Sequence, residues 1–364
     1  MDTIKKSLIC KKVKAYQVDE SIAKTHRPKV GDVAIFEVVA IGKHNAIQGT
    51  GGSNKYIFPG DLVMMAFGNR YASAQFEGYI PDNWQEEYHI LGKGGCAGVV
   101  ASMHMRMSLR GPTRLKLKGY ATDSEGRVLN TRYMDSEKVS FATLRPSANY
   151  RVILSLGTSM DSGKTTTAAF LARGLMKAGK HVAYIKTTGT VFSKDRAYVR
   201  DCGAHFVKDF SQLGYPSTYM LEEDELLDIF ATLLTEAAQI QPDYVIVEIA
   251  DGLLQRETSM LLQNPHFLSF IDHLMLSSGD SMGAISGIEE LHRLGLQPSG
   301  LCGAFQAAPL LVKEVRSRVD LPIFSLSVLS DPSIVQKLRP AHLTHMNGVM
   351  NAAAKELTAD CNSQ

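Results

Sequence analysis

Residues 157–165 read GTSMDSGKT, and these residue types at this spacing suit the grip of a polyphosphate. A loop with little side-chain bulk lets successive backbone N–H groups wrap a phosphate, and the N-terminus of a following helix aims further N–H groups at the same charge. Gly157, Thr158, Ser159, Met160, Asp161, Ser162 and Gly163 supply that loop, with Lys164, Thr165 and Thr166 opening the helix. Lys164 would reach the β- and γ-phosphates of a nucleotide, and the Thr165 hydroxyl would sit on Mg²⁺. Five residues separate Gly157 from Gly163, one more than in the commonest form of the motif. None of those five is lysine, so the signature-lysine variant of partition-type ATPases is absent.

Three further stretches carry chemistry. YVIVEIAD, residues 244–251, is a buried strand pattern ending in Glu248 and Asp251. Ligands of parallel sheets bind beyond the carboxyl ends of strands, so both acids fall beside the phosphate loop. Glu248 is the metal candidate, directly or through water, and Asp251 either contacts substrate or caps the next helix. VAYIK, residues 182–186, delivers Lys186 to the same edge, to stabilise a transferring phosphoryl or carboxylate or to stand as a surface lysine. Asp195, nine residues on, would order Mg²⁺ or accept a proton, or serve only as a helix-start carboxylate. Residues 277–281, SSGDS, could bind an anion or cap a helix through Asp280 or Ser281. His181, His205, His266, His273 and His292 have no metal-ligand spacing.

Positioning these groups takes an α/β fold. From residue 151 strand and helix patterns alternate, the sign of a parallel sheet. Helices are expected over 163–178, 223–238, 281–294, 309–319 and 341–357. Strands are expected over 152–156, 181–185, 244–250, 273–277, 300–304 and 323–326. Residues 1–149 read instead as short strands between Gly/Pro/Asn turns, at 32–41, 62–67, 75–80, 98–103, 114–122 and 128–130, with a turn at 68–71. That pattern favours a small barrel or sandwich. Residues 131–149 serve as linker. The expectation is a β-rich domain over 1–149 followed by a parallel-sheet P-loop NTPase domain over 150–364.

The 364 residues are long enough for two cores, and 45% hydrophobic with 21% charged residues is a globular balance. No apolar run is long enough to cross a membrane, and the basic N-terminus lacks the apolar core of a secretory signal. Five cysteines, odd in number and widely spaced, point to reduced thiols and a cytoplasmic setting. The net charge of +2 conceals an asymmetry: residues 1–149 carry 21 Lys/Arg against 14 Asp/Glu, and the remainder 18 against 23. A basic half suits an anionic substrate, a nucleic acid or an acidic partner, or is simply a solvated surface.

GTSMDSGKTTT resembles the phosphate loop of dethiobiotin synthetase and of the ATP-binding domain of cobyrinic acid a,c-diamide synthetase. VIVEIADGL is similar to that group's strand ending in Glu, and GDSMGAISGIEELHRLGLQPSGLCGA to its later strand–helix–strand block. VAYIKTTGTVFSKDRAYVRDCGA resembles the molybdopterin-guanine dinucleotide biosynthesis adaptor protein. The resemblance covers about residues 150–330. It implies an ATP- and Mg²⁺-using domain that phosphorylates a carboxylate or hydroxyl of a small molecule. It makes Lys164, Thr165 and Glu248 the nucleotide and metal residues and Lys186 a substrate or phosphoryl contact. Where the group often has Asn to read adenine, this chain has Ala304-Phe305-Gln306, and no guanine-reading motif is visible. The sequence therefore points to a kinase or ligase for a small anionic metabolite, with Lys164, Lys186, Asp195 and Asp251 in catalysis. A polynucleotide 5′-hydroxyl kinase is a rival, though aromatics do not interleave with the basic residues. An NTP-switched adaptor is another. Completion of the site across a homo-oligomer interface stays open.

Overall fold

The computed structural model describes residues 4–134 and 138–338. The first part is built on a mixed sheet. The strands of this part are β1 (Lys5–Lys6), β2 (Gln17–Asp19), β3 (Val33–Ala40), β4 (Ala46–Gln48), β5 (Asn54–Tyr56), β6 (Leu62–Phe67), β7 (Phe76–Tyr79), β8 (Tyr88–Gly92), β9 (Cys96–Met103) and β10 (Arg114–Thr122), of which β4 and β5 pair with each other as a separate two-stranded sheet. The pairing runs β6-β3-β10-β8-β9, and β9 pairs back onto β6. Five strands thus close into a ring, which removes most exposed edges. Alternate residues of these strands, among them Phe36, Val63, Phe67, Tyr88, Leu115 and Tyr120, fill the interior.

The second part is a six-stranded, wholly parallel sheet in the order β13-β12-β14-β11-β15-β16. Its strands are β11 (Arg151–Gly157), β12 (Val182–Lys186), β13 (Phe206–Asp209), β14 (Tyr244–Glu248), β15 (His273–Ser277) and β16 (Gly300–Cys302). The helices are α1 (Lys164–Lys177), α2 (Lys194–Asp201), α3 (Glu223–Ala238), α4 (Arg256–Gln263), α5 (Pro265–Leu268), α6 (Ser281–Arg293), α7 (Pro309–Arg316), α8 (Leu326–Leu329) and α9 (Ile334–Lys337). Both faces of the sheet are covered, so its strands are near-continuous apolar runs. Ile153, Tyr184 and Ile246 pack with Ala168 and Leu171 of α1 on one face. Leu154, Leu156, Val245 and Val247 pack with Ile229 and Phe230 of α3 on the other. The period-2 alternation of side chains sends neighbouring residues to opposite cores.

The two sheets are joined by specific contacts. Ser193 N–H donates to Gln48 Oε1 and Gln48 Nε2 to Ser193 Oγ, both at 3.0 Å. Val191, from the loop after β12, is buried with Ile9, Leu91 and Cys96. Thr131 Oγ1 donates to Gly214 O at 2.6 Å. The stretch read as linker packs as well: Phe141 is buried 5.5 Å from the Phe270 ring.

Several elements depart from the sequence reading. Strand β8 was not expected, because YHILG is short and follows a polar run. Residues 128–130 form only isolated bridges, Thr122–Val128 and Asp32–Asn130. Residues 323–326 do not form a strand. Ile323 alone bridges to Leu301, and the Ser325 hydroxyl accepts from Val328 N–H, turning Leu326–Leu329 into a short helix. The helix expected at 341–357 lies outside the described residues, as does Cys361. Cys10, Cys96, Cys202 and Cys302 are free thiols.

Candidate active site

Register sets the site. Ser155 of β11 and Lys186 of β12 both pair with Glu248 of β14, so the three lie level at the carboxyl edge. The phosphate loop leaves the same edge from β11, a central strand flanked by β14 and β15. Gly157 is required there: a Cβ would stand 2.2 Å from Ser162 Oγ and 2.6 Å from Lys164 Cγ. Gly163, at φ 101°, makes the left-handed turn into α1. The N–H groups of Ser159–Thr166 meet no protein acceptor among the described residues. Ser162 Oγ is buried without a partner. Unsatisfied donors of this kind, gathered in a bulk-free loop at a helix N-terminus, fit an anion.

Lys164 is buried, with Nζ donating to Ser159 O at 2.7 Å. Burial depresses its ammonium below the ordinary lysine range, against the pull of Asp251 and Glu248. Thr165 Oγ1 donates to Glu248 Oε1 at 3.0 Å. Glu248 is fully buried and fully engaged: Lys186 Nζ lies 2.8 Å from Oε1, and Tyr184 OH donates to Oε2 at 3.0 Å. Lys186 is buried, so it is not a surface lysine, and it also pairs with Asp195 at 2.6 Å. Burial alone would depress its ammonium, but the Asp195 and Glu248 carboxylates outweigh that and hold it protonated above the usual range. Asp195 sits in the first turn of α2.

Asp251 does not cap α4. Its N–H donates to Gln255 Oε1 at 2.8 Å, and its carboxyl is pushed above the ordinary range by burial despite Lys164, Lys186 and Arg70. The SSGDS segment caps α6, with Asp280 accepting from Gly283 N–H at 2.7 Å. The carboxamide of Gln306 is committed to Phe324 O at 2.7 Å. His181 and His205 pack as a tilted pair with ring centroids 4.1 Å apart, and His266 lies against Phe141. Among the described residues no three His, Cys, Asp or Glu side chains gather as a metal site. The Thr165–Glu248 pair is the oxygen donor set that fits Mg²⁺ held largely by phosphates and water. Because both Glu248 oxygens already have partners, contact through water fits better than direct ligation.

Lys164, Thr165, Lys186, Asp195, Glu248 and Asp251 all line one cavity of about 840 Å³. Its opposite wall comes from the mixed sheet: Lys43, His44, Arg70, Tyr71, Lys93 and Arg110. None of these was singled out from sequence; the only signal was the excess of basic residues in 1–149. Tyr79 OH and Tyr219 OH, 3.1 Å apart, join the two parts of the chain beside the cavity wall at Tyr219.

No protein-family model matches the chain, and no curated protein matches it. Solved structures do. The signal recognition particle receptor FtsY from Elizabethkingia anophelis aligns over 53% of this chain and 63% of its own, at 16% identity and a TM-score of 0.34. The signal recognition particle 54 kDa protein from Aeropyrum pernix K1, in complex with GDP, aligns over 54% of this chain and 45% of its own, at 18% identity and a TM-score of 0.33. A ParA family ATPase from Chlorobium tepidum TLS aligns over 51% of this chain and 92% of its own, at 15% identity and a TM-score of 0.31. This chain spans less than two-thirds of the length of the first three matched structures. Residues from β11 to β16 form a parallel α/β sheet with a glycine-rich strand–loop–helix turn at its carboxyl edge. Among the described residues no helix is long and apolar enough to cross a membrane.

Proposed function

We propose that the chain is an Mg²⁺- and ATP-dependent phosphotransferase or ligase that phosphorylates or activates a small anionic metabolite. In this reading residues 150–364 hold the nucleotide and residues 1–149 select the acceptor. The observation that carries it is the single cavity walled by the phosphate loop on one side and by basic side chains of the mixed sheet on the other. The loop amides, Lys164 and the Ser162 hydroxyl would bind the phosphates, with Thr165 and Glu248 holding hydrated Mg²⁺. That ion, when bound, neutralises charge on the phosphates. Lys186, locked between Asp195 and Glu248, offers a fixed positive charge to the transferring group. Asp251, with its raised carboxyl pKa, is suited to hold a proton of an acceptor hydroxyl.

A polynucleotide kinase is less well supported, because the basic side chains converge on one cavity instead of tracking along a surface with interleaved aromatics. The test is calorimetry with Mg²⁺ and ATP or GTP, followed by a screen of ADP release against pooled metabolites and RNA. Saturable binding of ATP and ADP release stimulated by a metabolite pool is expected. Tight GTP binding without ATP binding would reverse the choice of nucleotide. Nucleotide binding with no stimulation by either pool would move the reading to a switched adaptor.

A further inference from the structure

We propose that Lys43, Arg70 and Lys93 form a second anion site, which takes a doubly charged anionic group of the acceptor, a phosphate monoester or a dicarboxylate. All three line the cavity opposite the phosphate loop. They are held by the strand ring: Arg70 follows β6, Lys93 follows β8, and Lys43 follows β3. None has a carboxylate within ion-pair distance among the described residues. Arg70 is the fixed member. It is only 8% exposed, its Nη1 donates to Leu91 O and its Nη2 to Gln75 Oε1 at 2.9 Å. Its buried Nε has no hydrogen-bond partner.

A buried guanidinium with an orphan N–H and no ion-paired carboxylate, only the Coulombic pull of Asp251, is costly unless something neutralises it. Lys43 feels the same crowding. Burial, with repulsion from Arg70 and Lys93, lowers its ammonium to about 8, and Asp161 of the phosphate loop pulls the other way. A lysine close enough to feel both Arg70 and Lys93, on one cavity wall, calls for a multiply charged anion. In the phosphotransfer reading the loop amides and Lys164 take the nucleotide phosphates, so this wall is left for the second reactant. The cavity of about 840 Å³ lies toward the upper end of the size range of small-molecule sites.

The proposal rests on the phosphotransfer reading for its purpose, but its measurement is separate. Inorganic phosphate and, in a second arm, malonate are titrated by calorimetry into the full chain, with and without saturating Mg²⁺ and β,γ-imido-ATP. The expected result is binding of at least one dianion in the presence of the nucleotide analogue. Lys43→Met and Lys93→Met should each weaken it about tenfold or more, as charge-assisted hydrogen bonds do. The nucleotide affinity should stay within about twofold. Preference for phosphate or for malonate tells the two acceptor classes apart. Arg70→Lys, which keeps the charge but loses the fork, should fold and bind more weakly than wild type.

No dianion binding to a chain that binds nucleotide would overturn the site and leave the phosphotransfer reading intact. Equal loss of nucleotide affinity in Lys93→Met would also overturn it, by assigning these charges to the nucleotide. Dianion binding that survives where no nucleotide binds would support the site and sink the phosphotransfer reading.

Discussion

Thr165 and Glu248 are 83 residues apart in sequence, yet the Thr165 hydroxyl donates to Glu248 Oε1 at 3.0 Å. The contact joins the first turn of α1 to the end of β14, the strand beside β11. It places the two expected oxygen donors for Mg²⁺ side by side. Thr165→Ala should therefore lower nucleotide affinity about tenfold when Mg²⁺ is present and leave Mg²⁺-free binding nearly unchanged. Equal losses in the two conditions would show that Thr165 does not act through the metal. Calorimetry with and without chelator reads the difference.

Glu248 has a second role that complicates its mutation. It accepts from Tyr184 and pairs with Lys186 in a fully buried setting. Glu248→Ala strands both partners and should cost about 3 kcal/mol of stability or more. Glu248→Gln keeps the shape and one acceptor oxygen. It should fold with a smaller loss, while ADP release falls at least about a hundredfold. Denaturant unfolding beside a turnover assay separates the two effects. A Gln variant with full turnover would remove Glu248 from the metal site.

The loop makes a sharper prediction. A Cβ at residue 157 would stand 2.2 Å from Ser162 Oγ and 2.6 Å from Lys164 Cγ. Gly157→Ala must push the loop off its path, whereas the sheet beneath is packed on other residues. Nucleotide affinity should fall more than about tenfold, with a change in unfolding free energy of only about 1 kcal/mol. Unchanged nucleotide binding in a folded Gly157→Ala variant would contradict the phosphate-loop assignment.

These predictions draw on the part of the molecule that is legible in its sequence. The phosphate loop, α3 at Glu223–Ala238 and β15 at His273–Ser277 were readable because each is local. A run of one periodicity ends in glycine, proline or a capping residue, and neighbours along the chain are neighbours in space. Level placement of Lys186 and Glu248 also followed from parallel strands ending at one edge. The basic wall was not legible. Lys43, Arg70 and Lys93 are separated by whole strands and meet only because β9 closes onto β6. Arg70 stood in an expected turn, where an exposed side chain is the default, yet ring closure buries it. Pairing across a ring is non-local, and composition records only its net charge.

His44 gives a stability test in acid. It is buried, with Nδ1 3.2 Å from Ile90 O, and burial together with Arg70, Lys43 and Lys93 lowers its pKa to about 3. In the unfolded chain it titrates near 6.5. Between these values the unfolded state binds the extra proton, so stability falls as pH drops below about 6.5. At pH 5 the loss is on the order of 2 kcal/mol. His44→Gln keeps a donor for Ile90 O and should flatten that part of the acid slope in urea titrations. An unchanged slope would mean that His44 is not held neutral in the folded chain.

Lys43 gives the matching test in base, where binding is read in place of folding. Its ammonium, lowered to about 8 by burial and by Arg70 and Lys93, loses its proton just above neutral pH. Arg70 stays charged over that range, so the wall's attraction for an anion drops by about one charge as pH rises from 7 to 9. Malonate affinity should fall about tenfold over that range, since malonate itself keeps a constant charge there. Lys43→Met should bind more weakly at pH 7 and show little further change to pH 9. A wild-type profile that is flat, or a Met variant that keeps the full slope, would place the titrating group elsewhere.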